Sequence, residues 1–418
     1  MDIRDRLDLK FKERKVNSSK VEAGSSSKNI QRSRANNDIS KYVTGTYIPT
    51  KEGDIFIARH SYDLDHLHGN FQLSILENIE GKDLQLLSSR EQKIKFDLKR
   101  TLFLDTETTG LAGGTGTSAF LIGIGFFYEN KYIVEQYFMR DYNEEASMLQ
   151  LIAEKATDYD LIVTFNGRSF DLPLLETRMI LNRIEPVFNR LHDVDLLHPA
   201  RRIWGLSLEN CRLGTLEEEV LGFERTEDDL PSSLISGIYF DYLRFGDADP
   251  LYKVFYHNEK DVVSMVSLLF KEYSYFNDPL NEQTITPLDL YSMGRYYERM
   301  RDYTMAQACI EKASPNLSDS YRRDSLIRLS MIHKREKRWA DAVGIWKDFV
   351  SNERIFSLSP YVELAKYYEH KEKKFETALR YSNEALSKIS NRRENDVGAL
   401  RHRIFRLEKK LRKIKEKQ

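Results

Sequence analysis

Two acidic residues stand one position apart at the end of an apolar segment, within Leu102–Gly110. Because successive side chains of a β-strand alternate between its faces, Asp105 and Glu107 are predicted to point the same way. Carboxylates held this close repel each other unless a positive charge lies between them, and a divalent metal ion is the usual partner. The segment therefore predicts one half of a metal site.

Two further carboxylates stand out by their context in the sequence. Asp171 follows the apolar segment 161–165, and Asp261 lies in a predicted helix that continues through apolar residues. Four acids without a cysteine or histidine pair suit Mg²⁺ or Mn²⁺ and suit zinc poorly. Two such ions, roughly 3.5–4 Å apart, can activate a water and stabilise the charge that develops during phosphodiester hydrolysis. The acids predict this chemistry.

A proton acceptor for the attacking water is expected beside Asp261. His257 precedes Asp261 by four residues, which on a helix at about 100° per residue places both on nearly one face. Imidazole titrates near neutral pH, so His257 is the predicted general base. Tyr256, five residues before Asp261, is the alternative, although it would point roughly 140° away. If Tyr256 were the base, His257→Ala would retain most of the turnover.

Polar residues adjoin the acids along the chain and are predicted to position the terminal nucleotide. They are Thr108, Thr109, Asn166 and Arg168. Arg201 and Arg202 offer further phosphate contacts, although arginine pairs on a surface helix are more often solvated.

Two other features are left out of the predicted site. His60, His66 and His68 fall within nine positions, but their spacing matches no zinc signature, and ordinary loop histidines explain them as well. The segment 113–116 is rich in glycine, yet it lacks the Lys–Ser/Thr ending of a phosphate-binding loop and precedes a strand. It is expected to be a flexible connection.

The acids are set in a pattern of α/β type. Strands are predicted at 101–107, 119–128, 132–139 and 161–165, with a hairpin turn at Glu129–Lys131 and helices at 144–156 and 172–182. This order is similar to that of ribonuclease-H-like domains, and it predicts a mixed five-stranded sheet flanked by helices. An all-α region follows.

That all-α region repeats with a period of 36 residues. Tyr303, Trp339 and Phe375 are spaced in this way, as are the alanines three positions after each of them. An aromatic residue and a small residue in register on successive helix pairs resemble tetratricopeptide repeats. Since one such unit cannot bury its apolar face alone, three in a row predict a small solenoid for partner binding or domain support.

With 418 residues, the chain is expected to form several domains. We predict a disordered basic arm (1–40), an N-terminal accessory segment (41–98), the α/β domain (99–276), the helical repeats (286–390) and a basic C-terminal helix (391–418). Residues 401–418 carry nine Lys/Arg against two Glu. This helix either caps the repeats with a solvated outer face or helps to hold phosphates.

Composition sets the remaining expectations. The net charge of −1 decides nothing about a polyanionic partner, so only local charge is informative. Two cysteines exclude a disulfide framework and indicate a reducing compartment. The N-terminal segment lacks the apolar core of a signal peptide, and no segment reaches a membrane-spanning length. A soluble, cytoplasmic protein is expected.

A DxET strand, an N-x-x-x-F-D turn and an H-N-x-x-D helix, in this order, resemble the DEDD exonuclease superfamily. Within it, the chain is similar to the bacterial YprB/MrfB-type exonucleases, on the segments 103–111, 200–204, 256–268 and 363–371. In that superfamily the histidine base stands five residues before the last aspartate, and the tyrosine base stands four before it. In this chain the two residue types are exchanged, because Tyr256 stands five residues before Asp261 and His257 stands four before it.

The resemblance implies a metal-dependent 3′–5′ exonuclease that acts on DNA, with Asp105, Glu107, Asp171 and Asp261 as ligands of two Mg²⁺ or Mn²⁺ ions. It further implies a role in DNA repair, single-stranded 3′ ends as substrate and a DEAD-box-type helicase as partner. Two alternatives stay open. One is an RNA exonuclease, since the same acids serve both nucleic acids; the other is an inactive nuclease fold that binds a partner through its helical repeats.

Overall fold

The computed structural model describes residues 38–88, 93–110, 116–226, 228–351, 356–389 and 394–416. These residues form two compact units that divide between Asp278 and Pro279, and each unit is described by itself. The predicted disordered arm, up to residue 37, lies outside the described residues, as does most of the glycine-rich connection at 111–115.

A mixed β-sheet forms the centre of the first unit. Its strands are β1 (Gly45–Thr50), β2 (Gly53–Asp63), β5 (Thr101–Thr108), β6 (Ala119–Tyr128), β7 (Lys131–Phe138), β8 (Leu161–Thr164) and β9 (His192–Asp195), while β3 (Leu67–His68) and β4 (Phe71–Gln72) form a separate two-stranded sheet. The strand order of the large sheet is β1-β2-β7-β6-β5-β8-β9. The strand β5 pairs antiparallel with β6 and parallel with β8, and β8 pairs parallel with β9.

The sheet has seven strands where five were predicted. The five strands from β5 to β9 have the predicted ribonuclease-H-like order, and the hairpin of β1 and β2 adds two more by pairing with β7. In β2 the residues Ile55–Ala58 form a continuous buried run without alternation. Such a short run does not identify a strand by periodicity, which explains why the sequence pattern missed the hairpin.

Six α-helices complete the described part of the first unit. They are α1 (Glu145–Ala156), α2 (Asp171–Leu181), α3 (Leu197–Ile203), α4 (Leu213–Leu216), α5 (Ser232–Phe245) and α6 (Leu251–Asn277). A π-helical turn, Glu217–Leu221, continues directly from α4. Helix α6 packs across β5, β6 and β7, so that it can present side chains to the middle of the sheet.

Two glycines of β6 allow this close approach of α6. A Cβ at Gly123 would lie 2.2 Å from Oδ1 of Asn258, and a Cβ at Gly125 would lie 1.9 Å from the Tyr132 hydroxyl. Contacts this short cannot exist, so any larger residue would push the helix or its side chains away from the strand. Gly123 is also the direct partner of Asp105 across the β5–β6 pair.

Helices are the only regular secondary structure among the described residues of the second unit. Its helices are α7 (Pro287–Arg299), α8 (Tyr303–Ala313), α9 (Asp319–Arg335), α10 (Trp339–Ser351), α11 (Leu358–His370), α12 (Phe375–Lys388) and α13 (Glu394–Lys415). Helices α8, α10 and α12 begin at the three aromatic residues of the 36-residue period, and the alanines at 306, 342 and 378 are fully buried. Among all described helices, none combines the length and apolarity that a membrane crossing requires.

Candidate active site

Strand β5 brings the first two acids to the site. Glu107 is buried and Asp105 is partly buried. The β5–β6 pairing shifts register between Glu107 and Thr108, and a bulge of this kind re-aims side chains next to functional sites. Nδ2 of Asn258 donates to Oδ2 of Asp105 at 2.8 Å, while Gln136 donates to Oδ1 of Asn258 at 2.9 Å. The orientation of Asp105 is therefore set by side chains from α6 and β7.

The third acid begins helix α2. A carboxylate in the first turn interacts favourably with the helix dipole, and the Thr106 hydroxyl donates a hydrogen bond to Oδ1 of Asp171. Burial raises the pKa of Asp171 to about 6, against the hydrogen bond from Thr106, with Asp195 and Asp261 adding to the rise.

The fourth acid, Asp261, and the predicted base both lie on α6. Nε2 of His257 lies 3.6 Å from Oδ2 of Asp261, as their four-residue spacing predicts. Ligand atoms of Glu107, His257 and Asp261 all lie within 4.8 Å of one another. The Tyr256 hydroxyl instead accepts a hydrogen bond from the backbone N–H of Thr226 at 3.2 Å.

The second ring nitrogen of His257 has an acidic partner. Nδ1 lies 2.7 Å from Oδ1 of Asp229, which follows the π-helical turn in the chain. Burial opposes the charged form of the imidazole, but attraction to Asp261 and the hydrogen bond to Asp229 outweigh it and raise the pKa of His257 to about 9. Because the Asp229 carboxylate binds Nδ1, Nε2 is the ring nitrogen that faces Asp261.

One arginine connects these acidic groups. Arg225 donates hydrogen bonds to both carboxylate oxygens of Glu217, from Nε at 2.6 Å and from Nη2 at 2.8 Å. Its Nη2 also donates to Oδ1 of Asp261. Its Nη1 lies 3.2 Å from Asp229 and 3.1 Å from Nδ1 of His257. Within the described part of the chain, it is the one Lys or Arg that contacts any of the four predicted metal ligands.

The electrostatics of the four acids show a deficit of positive charge. Burial, followed by the charges of Asp261, Glu107 and Asp171, raises the pKa of Asp105 well above its ordinary value. Burial and nearby acids likewise raise the pKa of Glu107 to about 8, although His257 partly opposes this. Two like charges 4 Å apart repel by about 4 kcal/mol at an effective dielectric constant of 20. Arg225 and a protonated His257 bring two positive charges to the four carboxylates and so do not balance them.

The donor set fits hard divalent cations. All four predicted ligands are carboxylates from three elements of the sheet and its helices, and each of the four lies among other acids. Mg²⁺ and Mn²⁺ prefer such oxygen ligands. Residues Asp105, Glu107, Asp171 and Asp261 therefore have the chemistry to hold such ions.

The predicted nucleotide-positioning residues have local partners. The Thr108 hydroxyl donates to the carbonyl of Gly110 at 3.0 Å, and the Thr109 hydroxyl accepts from the N–H of Ser118 at 3.0 Å. The N–H groups of Asn166 and Arg168 donate to the two oxygens of Asp195, at 2.8 and 3.2 Å. Asn166 has φ of 64°, which turns the chain sharply after β8.

The three N-terminal histidines have separate partners. His60 lies 3.6 Å from Glu259, the His66 ring packs on Tyr62, and Nε2 of His68 lies 2.6 Å from Oγ of Ser264. Burial lowers the pKa of His68 to about 3, so its ring is neutral. The described residues thus give these histidines no common metal site.

A groove of about 1220 Å³ opens at the site and is lined by two of the four acids. Asp105, Asp261 and His257 line it, and Asn166 and the basic side chains of Arg201, Arg212 and Arg225 also reach it. Its charge is mixed, with acids at the site and guanidinium groups along the wall.

Sequence reasoning missed three residues that organise the site. Asn258 follows His257 directly, so its place in the helical motif could have identified it. Arg225 and Asp229 lie in the segment between the π-helical turn and α5, where no hydrophobic periodicity signals a side-chain direction. Only the folded chain shows that both contact His257.

Comparison with known proteins agrees with this architecture. Residues 102–272 match the RNase_H_2 family of the RNase_H superfamily. The chain is 33% identical over 364 residues to "Uncharacterized protein YprB" of Bacillus subtilis (strain 168), an alignment that covers 85% of this chain and 86% of the relative. The superfamily match places a domain that typically hydrolyses phosphodiester bonds over the four acids. The chain therefore belongs to the YprB family and contains an RNase H-like domain.

Proposed function

We propose that this protein is a metal-dependent 3′–5′ exonuclease that hydrolyses DNA from single-stranded 3′ ends. The observation that carries the proposal is the convergence of Asp105, Glu107, Asp171 and Asp261, with His257 beside the last of them. The polarity, the preference for DNA, the role in repair and a DEAD-box-type helicase partner rest on the resemblance to the YprB/MrfB-type exonucleases. The tetratricopeptide-like nature of the helical unit is likewise proposed.

The four carboxylates would hold two Mg²⁺ or Mn²⁺ ions, which supply an activated water and stabilisation of charge on the phosphoryl and leaving oxygens. The protein's own part is orientation. Asn258 fixes Asp105, Thr106 fixes Asp171, and the β5 bulge sets Glu107. These contacts hold the acids in place before substrate arrives, so little reorganisation is needed during reaction.

His257 is the proposed general base. Asp229 binds Nδ1, so Nε2 is the atom that accepts the proton of the attacking water. Acids raise the pKa of His257 to about 9, and at neutral pH the ring is therefore protonated until their charge is offset. Offsetting the charge of Asp261 removes much of the stabilisation of imidazolium and lowers the pKa of His257 toward the neutral range. Metal loading and base activation would thus be linked.

The test uses the purified chain with Mg²⁺, Mn²⁺ or chelator and end-labelled oligonucleotides. We expect single-stranded DNA with a 5′ label to give a ladder of shortening products, and a 3′ label to be released first as mononucleotide. Chelator, Asp105→Asn and Asp261→Asn should each abolish hydrolysis while circular dichroism stays unchanged. Hydrolysis that survives chelator and both substitutions would refute the proposal, and faster hydrolysis of matched RNA would reassign the substrate.

The base is assigned by a pair of variants. His257→Ala should reduce the rate by about 10² or more, in line with general-base catalysis, whereas Tyr256→Phe should leave it nearly unchanged. The opposite pattern would make Tyr256 the base.

A further inference from the structure

The C-terminal helix α13 carries two different sets of basic side chains. One set faces the rest of the unit, where Arg403, Arg406 and Lys410 all bind the carboxylate of Glu369, at 2.7, 2.8 and 2.7 Å. The Glu369 side chain is completely buried. This set therefore fixes α13 onto α11 and is explained by the fold alone.

The other set faces solvent. Arg401, Lys409 and Arg412 are exposed, and they form no ion pair with any residue that the structure describes. At about 100° per residue they fall within an arc of about 80°, on the side of α13 away from Glu369. Lys409 and Arg412 are like charges three residues apart, which is unfavourable on a helix, while the exposed acids Glu408 and Glu416 stand four residues before and after Arg412. No contact with the described residues of the rest of the unit accounts for the three cations.

An exposed aromatic ring stands among these cations. Phe405 is 67% exposed and lies one helical turn from both Arg401 and Lys409. Burying such a ring would be favourable, and its neighbours on this face are charged. Together Arg401, Phe405, Lys409 and Arg412 form what we call the α13 ridge, a line of cations with an aromatic face at its centre.

We propose that the α13 ridge binds single-stranded nucleic acid, with its cations on backbone phosphates and Phe405 stacked against a base. Proteins that bind single strands without sequence preference combine these two elements, a basic track and aromatic stacking surfaces. The proposal deepens the proposed function, on which it rests for the class of ligand, because it gives the helical unit a substrate contact of its own.

A membrane surface fits the ridge less well. Helices that lie on membranes insert a wide apolar face, but Leu400 and Leu407 of α13 are buried within the protein. Phe405 is thus the principal apolar group left on the outer face. A single ring flanked by cations suits a stacked base better than a lipid interior.

The test measures binding by fluorescence anisotropy of a labelled oligo-dT, with the full chain in chelator so that no hydrolysis occurs. The variant Arg401→Gln/Lys409→Gln/Arg412→Gln should weaken binding by about tenfold or more and make the slope of log K against log salt shallower by about 2, since each single-strand phosphate contact contributes about 0.7. A matched control, Arg299→Gln/Lys347→Gln/Lys373→Gln, removes the same charge from exposed sites elsewhere in the unit.

Stacking is tested separately at Phe405. Phe405→Ala should weaken binding at least about fivefold, and Phe405→Tyr should retain it, as expected for stacking on an aromatic face. Thermal unfolding should be unchanged in both, because the ring is exposed.

The proposal is overturned if the ridge variant binds as tightly as wild type, or if the control triple loses as much affinity and slope. It is also overturned if the ridge variant loses binding to vesicles of phosphatidylserine and phosphatidylcholine but keeps its affinity for the oligonucleotide. Because binding is read without hydrolysis, an inactive nuclease site would leave the result interpretable, and failure of the ridge would leave the proposed exonuclease untouched.

Discussion

Replacing Glu107 by Gln is predicted to stabilise the metal-free protein while abolishing activity. Burial, against the attraction of His257 and with added repulsion from Asp261, raises the pKa of Glu107 from 4.5 to about 8. Below pH 4.5 the carboxyl is neutral in both the folded and the unfolded state, so it costs nothing. Between about pH 4.5 and pH 8 the Glu107 carboxyl is ionised in the unfolded chain but still protonated in the folded chain. The free energy of unfolding therefore falls over this range of pH.

The size of the effect follows from linkage. Over this window the free energy of unfolding falls by about 1.4 kcal/mol per pH unit, which amounts to about 3 kcal/mol at pH 7. An amide of the same shape has no proton to lose and escapes this cost. We therefore expect Glu107→Gln to be more stable than wild type by up to about 3 kcal/mol at pH 7 in chelator, and equally stable near pH 4.

The assay is a urea titration in chelator, read by hydrogen exchange of peptides from β5, which report the first unit only. Mg²⁺ should stabilise wild type, because binding to the folded state adds to its stability, and should stabilise Glu107→Gln much less. Glu154→Gln, an exposed carboxylate on α1, is the matched control and should change neither result. Equal stability of Glu107→Gln and wild type at pH 7 would refute the electrostatic account of the site.

Three further predictions concern other parts of the chain. Asp229→Asn should lower the pKa of His257 from about 9, because Nδ1 loses an anionic partner, and NMR titration of the ring measures this. Gly123→Ala should destabilise the protein by about 1–3 kcal/mol and weaken Mg²⁺ binding in calorimetry, since its Cβ would displace Asn258. Glu369→Gln should cost the second unit about 3 kcal/mol at pH 7, measured by urea denaturation, because three cations lose their buried acid.

The Glu369 effect has a defined pH dependence. Burial opposes ionisation, but bonds from Arg406 and Lys410 outweigh it and lower the pKa of Glu369 to about 2. Its stabilisation is therefore complete above the ordinary value of 4.5 and is lost as pH falls toward 2. Wild type and Glu369→Gln should converge in acid, and a constant difference between them down to pH 2 would contradict the assignment.

The predictions for Asp229→Asn and Gly123→Ala each have a matched control. Asp228→Asn changes an exposed neighbour of Asp229 that has no contact with His257 among the described atoms, and it should leave the His257 titration in place. Gly237→Ala adds a Cβ that meets no atom within 4 Å, so it should not destabilise the protein. If Asp228→Asn moved the His257 pKa as far as Asp229→Asn, or if both glycine variants behaved alike, the contacts described here would not be the cause.

Much of the nuclease-like unit was predictable because short-range rules govern it. The period of two in β5 places Asp105 and Glu107 on one face, and the four-residue spacing on α6 places His257 against Asp261. The aromatic residues 36 apart likewise mark the starts of α8, α10 and α12. Each of these inferences needs only the geometry of one element.

Contacts between elements were decided by the tertiary structure. The β1–β2 hairpin pairs with β7 across more than 60 residues of chain. The hydrophobic pattern of the hairpin does not indicate which strand it pairs with. Arg225 and Asp229 reach His257 from a segment without regular periodicity. The sequence alone determined which carboxylates and which imidazole stand on common faces, because that depends on backbone period. Their charge balance depends on burial and on neighbours distant in the chain, and so only the folded protein shows that Arg225 contacts Asp261 while burial raises the pKa of the other three acids.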